Sequence, residues 1–245
     1  MTESAASTAP ASPPQTSFWE DLIDVFFQPV AMFRRRVNGN PWLPFLFVII
    51  AMGIISYTTY PSIESAFEGD FKRTLPSLLK QYPQLTQEAA EKSFGYQSIA
   101  IRYFAGPAIG LTLLIDGFLV WLLGKMFGAV EGFGAAMLIA SYAFFPRVLG
   151  GVIAGAQGLL MDPANIRGIS MLTLGPARFL DPDTANPFTV ALLSRLDLMV
   201  VWQTALLAIG LAVIGRVSRG KAIAFAVTIW IVGSLYLLRA AYLLS

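Results

Sequence analysis

The chain has 245 residues, of which 56% are apolar and only 13% charged, with a net charge of +2 and neither His nor Cys. That charged share is roughly half of what a soluble domain carries, so the composition points to a bundle that spans a bilayer. The missing residues exclude disulfides, thiolate nucleophiles, Cys-based metal sites, His general bases and His-ligated metals. The small net charge and scattered basic residues give no footprint for nucleic acid.

Residues 1–17 are small, polar and Pro-rich, and read as a disordered tail. They lack the basic start and apolar stretch of a cleaved signal peptide, which leaves insertion to the first span. From Phe18 to Phe33 the apolar side chains of Trp19, Leu22, Ile23, Phe26, Phe27, Val30 and Phe33 recur at steps of three and four. This spacing predicts one amphipathic helix with Asp21 and Asp24 turned away. The aromatic stripe (Trp19, Phe26, Phe27, Phe33) runs into Arg34, Arg35 and Arg36, as in a helix of residues 18–36 lying in the membrane interface with its arginines among lipid phosphates. Docking on the bundle is the other use of such a stripe.

A membrane domain over 37–245 follows, with spans expected at about 41–60, 104–127, 133–160, 196–214 and 222–244. Between the first two lies a polar segment with helical pattern in two pieces, and between the third and fourth a connection rich in Pro and Gly. Pro146 predicts a kink or break in the third span. The short segments flanking the spans hold Arg34, Arg35, Arg36, Lys125, Arg216, Arg219 and Lys221 on one side. That side is therefore cytoplasmic, with the N-terminus inside and the C-terminus outside.

Two charges fall inside spans, Asp116 in the second and Arg147 in the third. Either would cost a few kcal/mol facing lipid alone. Counting outward from the turn near Val130 gives about 14 residues to Asp116 and about 17 to Arg147, close enough in depth for the long Arg side chain to meet the carboxylate, so the two are expected to pair. As a pair they would fix helix register; as the lining of a polar groove they would serve an ion or a lipid headgroup. Similar counting from Ser218 sets Asp197 and Arg239 at one depth as a second candidate pair. The patterns Gly106-Gly110, Gly124-Gly128 and Gly151-Gly155 let helices approach closely, for internal packing or for self-association into a homo-oligomer.

No catalytic site assembles from these residues. His-dependent intramembrane chemistries are excluded, and Asp116 and Asp197 are badly placed for an aspartyl dyad. No Gly-rich phosphate loop occurs. The expectation is a non-enzyme without cofactor or metal.

Phe27-Gln28-Pro29 with Phe33 opens an ordered set of motifs. A Gln/Glu-rich helical segment (Leu85–Gln97) follows, then Glu131-Gly132-Phe133-Gly134 at the start of the third span and Ser141-Tyr142-Ala143-Phe144-Phe145-Pro146 within it. Asn186-Pro187, Leu193-Ser194-Arg195-Leu196-Asp197, Trp202-Gln203, Ile209-Gly210-Leu211 and Gly220-Lys221-Ala222 complete the set. Order and spacing over about 18–244 resemble the Yip family of Ypt/Rab-interacting five-span membrane proteins, in its bacterial branch. The resemblance implies a cytoplasmic N-terminus and a role in membrane trafficking or as an accessory to other membrane systems, with Tyr142, Pro146, Gly220 and Lys221 as family positions. The family's acidic-Leu-Pro-Pro stretch ending in Tyr-Glu is absent, so Rab recruitment does not carry over. The expected protein is all-α: a polytopic inner-membrane protein of five transmembrane helices behind an amphipathic interfacial helix. Its expected partners are membrane lipids and another integral membrane protein, with no nucleic acid. The alternative is a small transporter or lipid-moving protein built on an Asp116/Arg147 groove.

Overall fold

The computed structural model describes residues 17–243, without the side chains at 236, 240 and 243, so the tail expected at 1–17 lies outside it except for Ser17. Every regular element described is helical, and the long apolar ones make this a polytopic membrane protein. Among the described residues, four helical stretches are long and apolar enough to cross a bilayer. A pair bent by 47° makes a fifth if counted as one span.

The predicted amphipathic helix is two helices, α1 (Phe18–Phe27) and α2 (Pro29–Arg35). Ser17 caps α1 by accepting from the Glu20 N–H at 3.3 Å. Pro29 lacks a backbone N–H and its ring would crowd the preceding turn, so one helix ends at Gln28 and another begins at the proline.

The first two spans are far longer than a bilayer requires. α3 (Trp42–Gln81) and α4 (Gln87–Met126) each have 40 residues, or roughly 60 Å against a hydrocarbon core of about 30 Å. The two helical pieces expected in the polar segment are thus direct continuations of the spans. Thr86 caps α4, accepting from the Ala89 N–H at 3.2 Å. Beyond the apolar halves the hairpin is held by rings such as Phe71 and Phe94, stacked at 4.5 Å.

The third span breaks where Pro146 predicts, into α5 (Phe133–Ala143) and α6 (Phe145–Leu160). α5 is the central element, with every residue from Ala136 to Ala143 buried, which is why its sequence is apolar all round rather than on one face. It packs against α3, α4 and α8 (Leu198–Val213). Short 3-10 turns and α7 (Pro187–Ser194) fill the Pro/Gly-rich connection. α9 (Arg219–Leu243) closes the bundle against α7 and α8.

Two of the three glycine patterns, Gly106-Gly110 and Gly151-Gly155, resolve onto α3, whereas Gly124 faces Glu131 and Leu211. A Cβ on Gly106 would lie 2.8 Å from the Ile49 carbonyl oxygen and 3.4 Å from Gly53 Cα, and a Cβ on Gly151 would lie 3.3 Å from an Ile55 methyl. α4 and α6 therefore approach α3 on faces without side chains.

Candidate functional site

Asp21 is fully buried, the reverse of its expected outward position. Over the 15 residues to Arg36 a continuous helix would rise about 22 Å. The break at Gln28-Pro29 instead folds α2 back, and Arg36 Nε donates to Asp21 Oδ2 at 2.7 Å. Arg35 bridges Asp21, at 3.4 Å, and Asp24. From the end of α5, Tyr142 Oη donates to the same Asp21 Oδ2 at 2.7 Å. The carboxylate thus gains the partners that a buried charge requires, and they clasp α1 and α2 to the central helix.

The clasp sorts the predicted interface residues. Phe33 and Met32 are fully buried, and the Phe33 ring sits edge-on to Tyr142 at 6.3 Å, so Phe33 serves the core rather than an outward stripe. Phe26 is partly buried against the same core. Trp19 (66% exposed) and Phe27 (79%) do point outward, with Ile23 and Val30 beside them. Of the three arginines, Arg35 and Arg36 bind carboxylates. Arg34 enters no ion pair among the described residues and lines a groove beside α8 and α9.

Asp116 and Arg147 are brought to one cavity of about 190 Å³, together with Arg195, Gln203 and Trp230. Among the described residues they make no direct ion pair; their charges act across the cavity, and Arg147 also feels Asp197. Arg195 joins the wall through its own contacts. Its Nε donates to Ser234 Oγ at 2.9 Å, its guanidinium lies 5.7 Å from the Trp230 ring centre, and its carbonyl accepts from Trp230 Nε1 at 3.2 Å.

The second candidate pair does not form among the described residues. Asp197 caps α8, with Oδ1 accepting from the N–H groups of Met199 (2.8 Å) and Val200 (3.3 Å) and Oδ2 from that of Leu174 (2.7 Å). Three backbone donors thus hold the carboxylate at the start of α8, while Arg239 is exposed near the end of α9. Of the family positions, Tyr142 is in the clasp and Pro146 is buried at the first turn of α6. Gly220 and Lys221 open α9, where the Lys221 ammonium approaches Gly128 in the α4–α5 turn.

Glu131, in that turn, is buried at 5% exposure, and neither carboxylate oxygen has a hydrogen-bond partner. Lys125 Nζ donates instead to the Glu131 and Ala129 carbonyls. Burial pushes the Glu131 carboxyl above the usual carboxylate range, against the opposing pull of its own backbone N–H and of Lys125. The sequence reading noted Glu131 only as a motif residue and placed Asp21 on the wrong face. The available signal was Pro29 between two acids and two arginines, since a proline there folds the chain back.

Among the described residues, no group of three or more Asp and Glu side chains is placed to hold a metal ion. Comparison with curated proteins and with solved structures finds no significant match. The family comparison does: the Yip1 domain matches residues 23–240, from within α1 almost to the end of α9, and the chain belongs to the Yip1 domain family.

Proposed function

We propose that this multi-pass membrane protein is a non-enzymatic organiser, which recruits or steadies another integral membrane protein in a trafficking-type or accessory role. The observation that carries this reading is the α1–α2 clasp. A buried carboxylate, two arginines and a tyrosine from the central helix hold α1 rigidly, leaving Trp19, Ile23 and Phe27 as an exposed aromatic and aliphatic face. An apolar face held on a fixed support suits a partner protein or the lipid interface. The reading places the protein in a bacterial inner membrane with its basic end, and so its N-terminus, in the cytoplasm.

In-cell crosslinking followed by mild-detergent purification and mass spectrometry tests it. A membrane protein should copurify in near-stoichiometric amount and be lost from a Trp19→Ser/Phe27→Ser variant that still inserts and folds. Absence of such a partner, or its retention by the variant, would overturn the reading.

The cavity shared by Asp116, Arg147 and Arg195 supports a second reading, a path for an ion or a lipid headgroup. On that reading Asp116→Asn abolishes transport at normal protein level and no second change restores it. If Asp116→Asn instead lowers protein level, and neutralising Arg147 as well restores it, the two charges are structural.

A further inference from the structure

The seam between α8 and α9 is not closed by packing. Two cavities, about 630 and about 340 Å³, lie along it and adjoin at Ala208 and Ile223, which line both. Small side chains leave the space open: Ala205, Ala208 and Ala212 from α8 and Ala222 and Ala226 from α9. From Arg219 at one end to Trp230 at the other, eleven residues of helix rise about 17 Å, close to the hydrocarbon depth of a single leaflet, which is about half the 30 Å core.

The ends differ. The larger cavity opens between Arg34 of α2 and Arg219 of α9, with Ser218 beside them. Neither arginine enters an ion pair among the described residues, whereas the neighbouring Arg35 and Arg36 are taken up by Asp21 and Asp24. The clasp therefore does more than fix α1: by consuming two arginines of three it leaves the first free at the mouth of an apolar groove.

We propose that the α8–α9 groove binds an anionic membrane phospholipid, one acyl chain along the seam and the phosphate between Arg34 and Arg219. The volume lies in the range of built ligand sites, and the charge of the mouth matches the headgroup. A chain leaving lipid for this seam exchanges one apolar surroundings for another, so the tail contributes fit and little preference. Selectivity falls to the two arginines, which together favour an anionic over a zwitterionic headgroup by roughly tenfold or more. This inference stands apart from the organiser reading, because it needs no partner protein.

The test uses the full chain in nanodiscs of equal phosphatidylglycerol and phosphatidylcholine, extracted into mild detergent, with retained lipid read by native mass spectrometry. Wild type should retain phosphatidylglycerol over phosphatidylcholine by that factor. The Arg34→Gln/Arg219→Gln double variant should fall to near-even retention, while Arg216→Gln, on the same basic end but outside the groove, should not change it. Ala208→Phe fills the seam and should strip the retained lipid with both arginines intact. Should that variant lose its circular-dichroism melt, Ala212→Leu obstructs the groove nearer the mouth. Even retention by wild type overturns the proposal, as does a preference that survives the double variant. Loss of preference through Arg195→Gln alone also overturns it, since the headgroup would then sit at the other end.

Discussion

Tyr142 shows how much one hydroxyl carries. Among the described residues its Oη is the one uncharged side-chain donor to Asp21, and it acts at a fully buried carboxylate. Tyr142→Phe keeps the ring against Phe33 and Phe145 and deletes that donor. A hydrogen bond to a charged group contributes about 1.5–3 kcal/mol, so the variant should lose about that much in equilibrium unfolding from detergent micelles. Unchanged stability would mean that the arginines alone satisfy Asp21. Glu131 makes the opposite case, because its charge is a cost. A carboxyl whose folded pKa lies above its unfolded value binds more protons in the native state between the two, so stability falls as pH rises through that window. The window opens at the ordinary Glu value of 4.5 and extends upward. Glu131→Gln removes the ionisation and should raise the melting temperature at neutral pH, with the gain vanishing below pH about 4.5. A gain that persists unchanged in acid would trace it to packing instead.

At the scale of elements, two glycines of α4 separate close approach from propensity. Gly106 has the Ile49 carbonyl where its Cβ would be, and backbone cannot give way as a side-chain tip can. Gly95, on the exposed outer half of the same helix, has nothing within 4 Å of its would-be Cβ. Gly106→Ala should therefore destabilise the α3–α4 hairpin, whereas Gly95→Ala should stabilise it by about 0.5–1 kcal/mol through lost unfolded-state freedom. A matched melt of the two variants checks both signs. The helices themselves were largely legible from the sequence, because a bilayer leaves the backbone few options and apolar runs announce them. The break at Pro146 was legible for the same reason, since a proline acts locally. What escaped was anything decided by the partner across a contact. One amphipathic helix was expected where Pro29 makes two, and Asp21 was read as solvated because periodicity ranks residues by apolarity and cannot see two arginines folding back onto a carboxylate. Asp197 was matched to Arg239 by depth, but the cap positions at the start of α8 claimed its oxygens first. Depth counting led to an expected Asp116–Arg147 pair; the two residues do line one cavity, but they make no ion pair among the described residues.

Across the whole molecule the two ends of the bundle differ in how their charges are used. At one end the α4–α5 and α8–α9 turns meet through the Val130 N–H donating to the Gly215 carbonyl at 3.1 Å. Lys125 and Lys221 approach the first of these turns, Arg216 and Arg219 lie in or beside the second, and Arg219 shares a cavity with Arg34. At the other, the α3 extension and the Pro/Gly-rich connection are laced by Arg73, which reaches Asp183 at 2.9 Å and Asp70 at 2.5 Å, and by Arg167, which reaches Asp181 at 3.0 Å. There the Arg167 and Arg73 guanidiniums outweigh local desolvation and hold the Asp183 carboxyl below the usual carboxylate range. The short connections with Lys and Arg next to span ends are the ones retained on the cytoplasmic side, and long connections weigh less in setting orientation. The absence of Cys makes this directly readable, because any introduced thiol is the sole reactive site in the chain. Gln87→Cys, at the start of α4, and Thr184→Cys, in the connection, should react with a membrane-impermeant maleimide on intact cells. Ser218→Cys, at the α8–α9 turn, should react only after the membrane is opened. The reverse pattern would invert the orientation and leave the fold untouched. Labelling of Thr184→Cys and Ser218→Cys from the same side would be more damaging: α8 could not then cross the bilayer, and the bent α7–α8 pair would have to be a re-entrant segment that returns to the face it left.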